Sequence, residues 1–369
     1  MELALIILSK DQGDNAMNDK FFKDRRVIIT GHTGFVGSWL TKWLLMMESN
    51  ILGYSLDPPS KPNMYDAIGL SKDIRDLRKD VRDKTSLKEA IYKFQPEIVF
   101  HLAAQPIVLE SYDSPVETFE TNVMGTVNLL ESLTRVGSAK VILVMTSDKV
   151  YKNIEWVYPY RENDPLGGKD PYSASKSSQD IVVNSFRESY FDSMGVGISS
   201  IRSGNVIGGG DWGAHRIVPD VVRGLTEGSA IRIRNPDSVR PWQYILEPIS
   251  GMLLLAQRMW DDIKFSGAWN FGPNNQRKIT VKELVDKFLK KWGGRSYTIA
   301  KDNEAIEANY LQLDISKARS VLSWFPKYGF EESIEETVEW YKAYYENKGN
   351  INNVTEKQIR AYLEGRNDE

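Results

Sequence analysis

The chain has 369 residues, no cysteine, three histidines and a formal net charge of −3. That length suits one large α/β domain or two smaller ones, the missing thiols exclude disulfides and cysteine catalysis, and the near-neutral charge with no basic block argues against nucleic acid or an anionic membrane as partner. His32, His101 and His215 lie far apart in sequence, so no metal site is expected. Residues 1–20 hold a short apolar run with no basic flank and no cleavage pattern, too short to span a bilayer; they read as a frayed extension of a cytoplasmic protein. "RRVIITG" is then a β-branched run stopped by Gly31, "GFVGSWLTKWLLMM" has a helical pattern, and "NILGYSLD" reads as a second strand ending at Asp57. "PEIVFHLAA" and "AKVILVMTSD" are two further buried strands around the helix-length "PVETFETNVMGTVNLLESLTR". A helix over about 172–191 and the strand "VGISSIRSG" continue the rhythm.

Strands alternating with helices predict an α/β fold with a doubly wound parallel sheet, of the Rossmann type, over residues 21–203. Beyond Ser203 the composition turns to Gly, Pro, Arg and Trp. A smaller, discontinuous C-terminal substrate domain is expected over 204–240 and 276–346. Residues of about 241–275, including "GAWNFG", return to the sheet, and 347–369 read as a polar tail with room for one short helix.

Two motifs carry chemistry on their own spacing. In "TGHTGFVG", Gly31, Gly34 and Gly37 with the intervening Thr33, Phe35 and Val36 sit between a strand and a helix, where glycines let backbone N–H groups approach a pyrophosphate. Asp57 follows twenty residues after Gly37, placed to accept from an adenosine ribose and to repel a 2′-phosphate, so NAD is expected rather than NADP. In "YSASK", Tyr172 and Lys176 are four apart, one helical face, and an ammonium beside a phenol favours the phenolate. "TSDKVY" then places Ser147, Asp148 and Lys149 at the end of one strand: a hydroxyl, a carboxylate and an amine on consecutive residues.

Together these pieces resemble the extended short-chain dehydrogenase/reductase family from about Phe22 to Trp340. The resemblance implies further cofactor contacts at Asp80 and Val81 in "DVRD", at Leu102, Ala103 and Ala104 in "HLAA", and at Asn122 in "TNVMGT". Within that family, the Asp-Lys pair after Ser147 is similar to the CDP-sugar members of the sugar nucleotide 4,6-dehydratases, as are "RSGNVIGGGDW" and "RPWQYILEP". It implies that Tyr172 takes the C4 hydroxyl proton, with Lys176 at its side and Ser147 on the developing ketone. Lys149 acts at C5, Asp148 at C6, and hydride passes internally from C4 to C6 through NAD. CDP-D-glucose is the implied substrate and a 4-keto-6-deoxy sugar the implied product, on the way to a cell-surface deoxysugar. Gln105, Asn205, Arg216, Arg234, Arg240 and Trp242 fall in segments similar to the family's substrate-facing loops; Arg232 and Arg234 alternate along "IRIRNP" and equally suit a solvent face. The family also implies a homodimer built from two helices per protomer, here about 116–135 and 172–191. Two rival readings keep the same cofactor motif: a nucleotide-sugar 4-epimerase or reductase, which has no use for Asp148 and Lys149, and a non-catalytic NAD-sensing module.

Overall fold

Apolar side chains alternate along the central strands, and the alternation sorts the core into two layers. The computed structural model describes residues 18, 20–274, 277–294, 296–299, 310–346 and 350–365. Nearly all of the expected N-terminal extension lies outside the described residues. The strands are β1 (Arg26–Thr30), β2 (Asn50–Ser55), β3 (Arg75–Arg78), β4 (Ile98–His101), β5 (Val141–Met145), β6 (Gly197–Arg202) and β7 (Gly267–Asn270). They form one parallel sheet in the order β7-β6-β5-β4-β1-β2-β3. Val27, Ile29, Ile98, Phe100, Val141 and Leu143 face one layer, while Ile28, Val99, Ile142 and Val144 face the other. A sheet buried on both sides is what continuous β-branched runs dictate.

The helices that cover the first layer include α1 (Phe35–Met46) and, further along, Leu246–Asp261; those on the second include Lys84–Phe94, Gly125–Val136 and Pro171–Phe186. The strand order reverses between β4 and β1, and a crevice opens there at the carboxyl ends, the place where open α/β sheets bind ligands. "GAWNFG" does return to the sheet: β7 pairs with β6 from Gly267 opposite Ser199 to Asn270 opposite Arg202.

Two short parallel strand pairs lie outside the main sheet. Val206–Ile207 pairs with Gln243–Tyr244, and Arg232–Ile233 pairs with Thr298–Ile299. Residues 351–364, read from sequence as polar tail, form a fourteen-residue helix with Ile351, Ile359 and Tyr362 buried. It docks on the first layer: Lys42 pairs with Glu356 at 2.6 Å, and the Tyr362 hydroxyl donates to Glu247 at 2.7 Å.

Candidate active site

A cleft of about 900 Å³ runs across the carboxyl ends of the strands. Its first wall is the turn between β1 and α1. Gly31 has φ +78°, and a Cβ there would stand 2.6 Å from the Ala103 nitrogen; a Cβ on Gly37 would stand 2.1 Å from the Gly31 carbonyl. Only glycine allows these backbones to close on one another. Gly34 caps α1 without a side-chain bond, which leaves the first N–H groups of the helix directed at the cleft, an arrangement suited to a pyrophosphate. Thr33 ties the turn to the end of β2 through Ser55 Oγ at 2.8 Å and the Leu56 carbonyl at 3.0 Å. Phe35 and Val36 line the same wall.

Asp57 stands at the rim with its side chain 91% exposed, 3.7 Å from the Arg78 guanidinium. Asp80 and Val81 line the cleft beyond it, the Asp80 carboxylate held by Arg82 at 2.7 Å. Leu102, Ala103 and Ala104 follow β4 into the same wall. Asn122, expected on the cofactor side, does not line the cleft. It sits in a π-turn, Glu120–Met124, fully buried, and its amide is consumed internally. Nδ2 donates to Ser175 Oγ at 2.9 Å and to the Gln105 carbonyl at 3.1 Å, and Oδ1 accepts from the Gln105 nitrogen at 2.9 Å.

"TSDKVY" forms the floor. Ser147 leaves β5 in an extended conformation and caps a single turn of 3₁₀ helix, Asp148–Val150, by accepting from the Lys149 nitrogen at 3.2 Å. That tight turn sends three successive side chains to one place. The Ser147 hydroxyl donates to Asp148 Oδ1 at 3.0 Å, and the Asp148 nitrogen donates to the Ser203 carbonyl beside it at 3.2 Å. Ser147 and Asp148 are buried, Lys149 half-buried, and all three line the cleft.

Asp170 starts the next helix, accepting from the Ser173 nitrogen at 2.9 Å, with Pro171 in the first turn. The Tyr172 nitrogen donates to Ser111 Oγ at 3.1 Å, and Tyr172 and Lys176 both face the cleft. Burial pushes the Tyr172 phenol up to about 12; a hydrogen bond from Ser147 and the charge of Arg216 oppose that, while Asp148 and Asp170 add to it. Burial alone pulls the Lys176 amine down to about 7. Its ammonium donates to Gln179 Oε1 at 2.9 Å and to the Met145 carbonyl at 3.2 Å. Gln179 Nε2 in turn donates to Thr126 Oγ1 at 2.8 Å, which also bonds His101 Nε2 at 2.9 Å. These neutral contacts fix the lysine without a carboxylate to hold its charge.

Opposite this wall, Asn205, Arg216, Arg232, Arg234, Arg240 and Trp242 all line the cleft. Arg216 is held by both Asp211 oxygens at 3.1 Å. Arg240 and Trp242 are buried, whereas Arg232 and Arg234 are exposed and alternate with the buried Ile231 and Ile233. Gln105 lines the cleft too, but both ends of its amide are engaged, Nε2 on Thr118 and Oε1 on the Ile107 nitrogen. Among the described residues there is no group of three or more metal-ligating side chains, and no helix is long and apolar enough to cross a membrane.

Sequence reasoning passed over several residues that shape this site. Gln179, three after Lys176, and Asp211, five before Arg216, carry a helical or loop spacing that points back to their partners. Gly204 and Gln243 carry no such local signal, because their partners are distant in sequence.

The family model described as GDP-mannose 4,6 dehydratase matches residues 28–337. The chain belongs to that family. Within it, the CDP-glucose 4,6-dehydratase of Salmonella typhimurium is 47% identical over 336 residues, covering 89% of this chain and 94% of that one. Two solved structures share the fold. The UDP-glucose 4-epimerase of Thermotoga maritima, solved with UDP-glucose, has a TM-score of 0.75 at 23% identity, covering 86% of this chain and 99% of its own. The dTDP-glucose 4,6-dehydratase of Bacillus anthracis, solved with NAD, has a TM-score of 0.72 at 22% identity, covering 87% and 98%. The backbone is common to epimerases and dehydratases, so the side chains at the cleft floor must decide between them.

Proposed function

We propose that this protein is an NAD-dependent sugar nucleotide 4,6-dehydratase that converts CDP-D-glucose to CDP-4-keto-6-deoxy-D-glucose and water. The observation that carries the reading is the Ser147-Asp148-Lys149 turn, which sets an acid and an amine in the cleft beside Tyr172. The 47% identity to a CDP-glucose 4,6-dehydratase supports the same substrate. An epimerase needs only the tyrosine and lysine and gives the buried Asp148 nothing to do.

The glycine turn, the open N-terminus of α1 and Asp57 fit NAD: N–H groups for the pyrophosphate and a carboxylate for the ribose. When bound, NAD supplies the hydride acceptor for C4 and the hydride donor for C6. The rest falls to side chains. Tyr172 Oη takes the C4 hydroxyl proton while Ser147 donates to the oxygen that becomes the ketone. That ketone acidifies C5. Lys149 accepts the C5 proton, the electron pair forms the C5–C6 double bond, the C6–O bond breaks, and the departing hydroxyl takes a proton from Asp148 to leave as water. Lys149 then returns a proton to C5. Tyr172 ends one proton richer and Asp148 one poorer; Ser147, bonded to Asp148 and beside Tyr172, is the group through which that proton would return.

Arg216 and Arg240, one beside Tyr172 in charge and the other buried in the wall, serve the nucleotide diphosphate, with Arg234 at the rim. Trp242 and Asn205 line the substrate side. Val116, Phe119 and Met124 on one helix and Ile181 and Tyr190 on its packed neighbour are exposed apolar side chains, and they support a homodimer through a four-helix interface in a cytoplasmic enzyme. The test is mass spectrometry of the purified protein with NAD and a panel of CDP-, dTDP-, UDP- and GDP-hexoses in deuterated water. Loss of water from CDP-glucose with deuterium at C5 is the expected result; inversion without water loss, or no reaction with any sugar, overturns it.

A further inference from the structure

The carboxyl group of Asp148 must reach the C6 hydroxyl without drifting toward the C4 oxygen that Tyr172 works on, and one short stretch of chain opposite it sets that limit. Ser203, Gly204 and Asn205 follow β6 directly, and Asn205 is held in the left-handed region at φ +44°. Gly204 packs its Cα face against the Asp148 side chain so closely that a Cβ there would lie 2.0 Å from Oδ2, 2.2 Å from Cγ and 2.7 Å from Oδ1. All three heavy atoms of the carboxyl group are therefore in the space that any other residue would claim. On the opposite side Ser147 Oγ holds Oδ1 at 3.0 Å, and the Asp148 backbone is pinned through its N–H to the Ser203 carbonyl at 3.2 Å.

The stretch is itself clamped from behind. Gln243, buried to 2% exposure in the second strand of the short outlying pair, directs its amide nitrogen at three acceptors: Ser203 Oγ at 2.8 Å, the Gly204 carbonyl at 3.0 Å and the Phe271 carbonyl at 3.0 Å. Its own N–H donates to the Asn205 carbonyl at 3.3 Å. One buried amide thus ties the end of β6, the end of β7 and the substrate-side loop into a single rigid backing.

We propose that Gly204, backed by Gln243, is the positioning residue for the Asp148 carboxyl in the water-loss step, and that a glycine is required there because the acid occupies the volume of its missing side chain. The proposal rests on the dehydratase reading above. It makes Gly204 specific to one half of the reaction. Oxidation at C4 uses Tyr172 and Lys176 on another helix and feels Asp148 only through Ser147 and through its charge, whereas protonation of the departing C6 hydroxyl uses directly the acid that Gly204 seats. A displacement of about 1 Å in a catalytic group costs on the order of 100-fold in rate.

The test compares the wild-type protein with Gly204→Ala, Asp148→Asn and Gln243→Met, each loaded with NAD and mixed with CDP-glucose in single turnover. Absorbance of the reduced nicotinamide follows C4 oxidation, and mass spectrometry follows water loss. The expected result is that Gly204→Ala shows the split that Asp148→Asn shows more fully: water loss slowed on the order of 100-fold more than oxidation, and reduced nicotinamide that accumulates on the enzyme. Gln243→Met, which keeps the glycine and loses the clamp, should show the same split in smaller degree, and it decides the matter if Gly204→Ala does not fold. Wild-type water loss in Gly204→Ala, or equal slowing of both steps in the two folded variants, overturns the positioning role. A wild-type protein that dehydrates no sugar nucleotide overturns the dehydratase reading itself.

Discussion

In the proposed reaction Ser147 stands between the two halves of the chemistry, donating to Asp148 at 3.0 Å and near enough to Tyr172 to oppose the rise of its phenol. Because burial holds the Tyr172 phenol near 12, its reactive phenolate is scarce at neutral pH and the C4 oxidation rate should climb with pH. Tyr172→Phe should lower kcat on the order of 100- to 10,000-fold while NAD still binds, measured by turnover and by cofactor titration. Lys149→Ala should permit oxidation but block water loss, so reduced nicotinamide builds up on mixing with substrate; full turnover with no such build-up removes Lys149 from the mechanism. At this scale the sequence was readable where expected site residues cluster within a few positions, and Ser147, Asp148, Lys149, Tyr172 and Lys176 all line the cleft. Asn122, expected on the cofactor side, lies beside the cleft wall with its amide turned inward to hold Gln105 and Ser175, a placement its motif does not reveal. Gly204 and Gln243 were illegible for the opposite reason: each acts on a partner that only the fold brings near.

The β1–α1 turn is the element whose sequence and geometry agree most closely. Gly37→Ala would place a methyl 2.1 Å from the Gly31 carbonyl, a backbone atom that cannot swing aside. Thermal denaturation should show a loss of about 1–3 kcal/mol, and NAD affinity should fall with it because the turn and the helix N-terminus move together. Short continuous apolar, β-branched runs made β1, β2 and β4 to β6 readable. β3 was not: "RDLR" is a short edge strand with three charged residues, recruited by backbone pairing with β2 rather than by burial. The tail was given room for one short helix, but not the length of 351–364 or its docking, since its buried positions are separated by Asn, Glu, Lys and Arg and its stability comes from what it docks on.

Across the whole molecule, Glu247 is the buried carboxyl where distant segments meet. It accepts from the Lys327 and Tyr328 nitrogens at 3.0 and 2.7 Å and from the Tyr362 hydroxyl at 2.7 Å. Burial still outweighs those bonds and lifts it from 4.5 to about 7. Between those two values the folded protein binds more protons than the unfolded chain, so stability falls as pH rises through the window. The full penalty, on the order of 3 kcal/mol at most, is present above pH 7. Glu247→Gln should therefore flatten the dependence: its melting temperature should change less than that of the wild type between about pH 5 and about pH 8, and an unchanged slope would refute the assignment.

That same junction closes late, because its last partner is near the end of the described residues. The helix at 351–364 lays Tyr362 edge-on against Trp43, with ring centroids 5.8 Å apart, and sets Gln358 on the Tyr244 hydroxyl at 2.9 Å. Trp43 and Tyr244 are fully buried in the finished protein, yet the segment that covers them is translated roughly 300 and 100 residues later. Trp43 and Tyr244 thus lack their full cover until the helix at 351–364 has been made, although the strands beside them are made first.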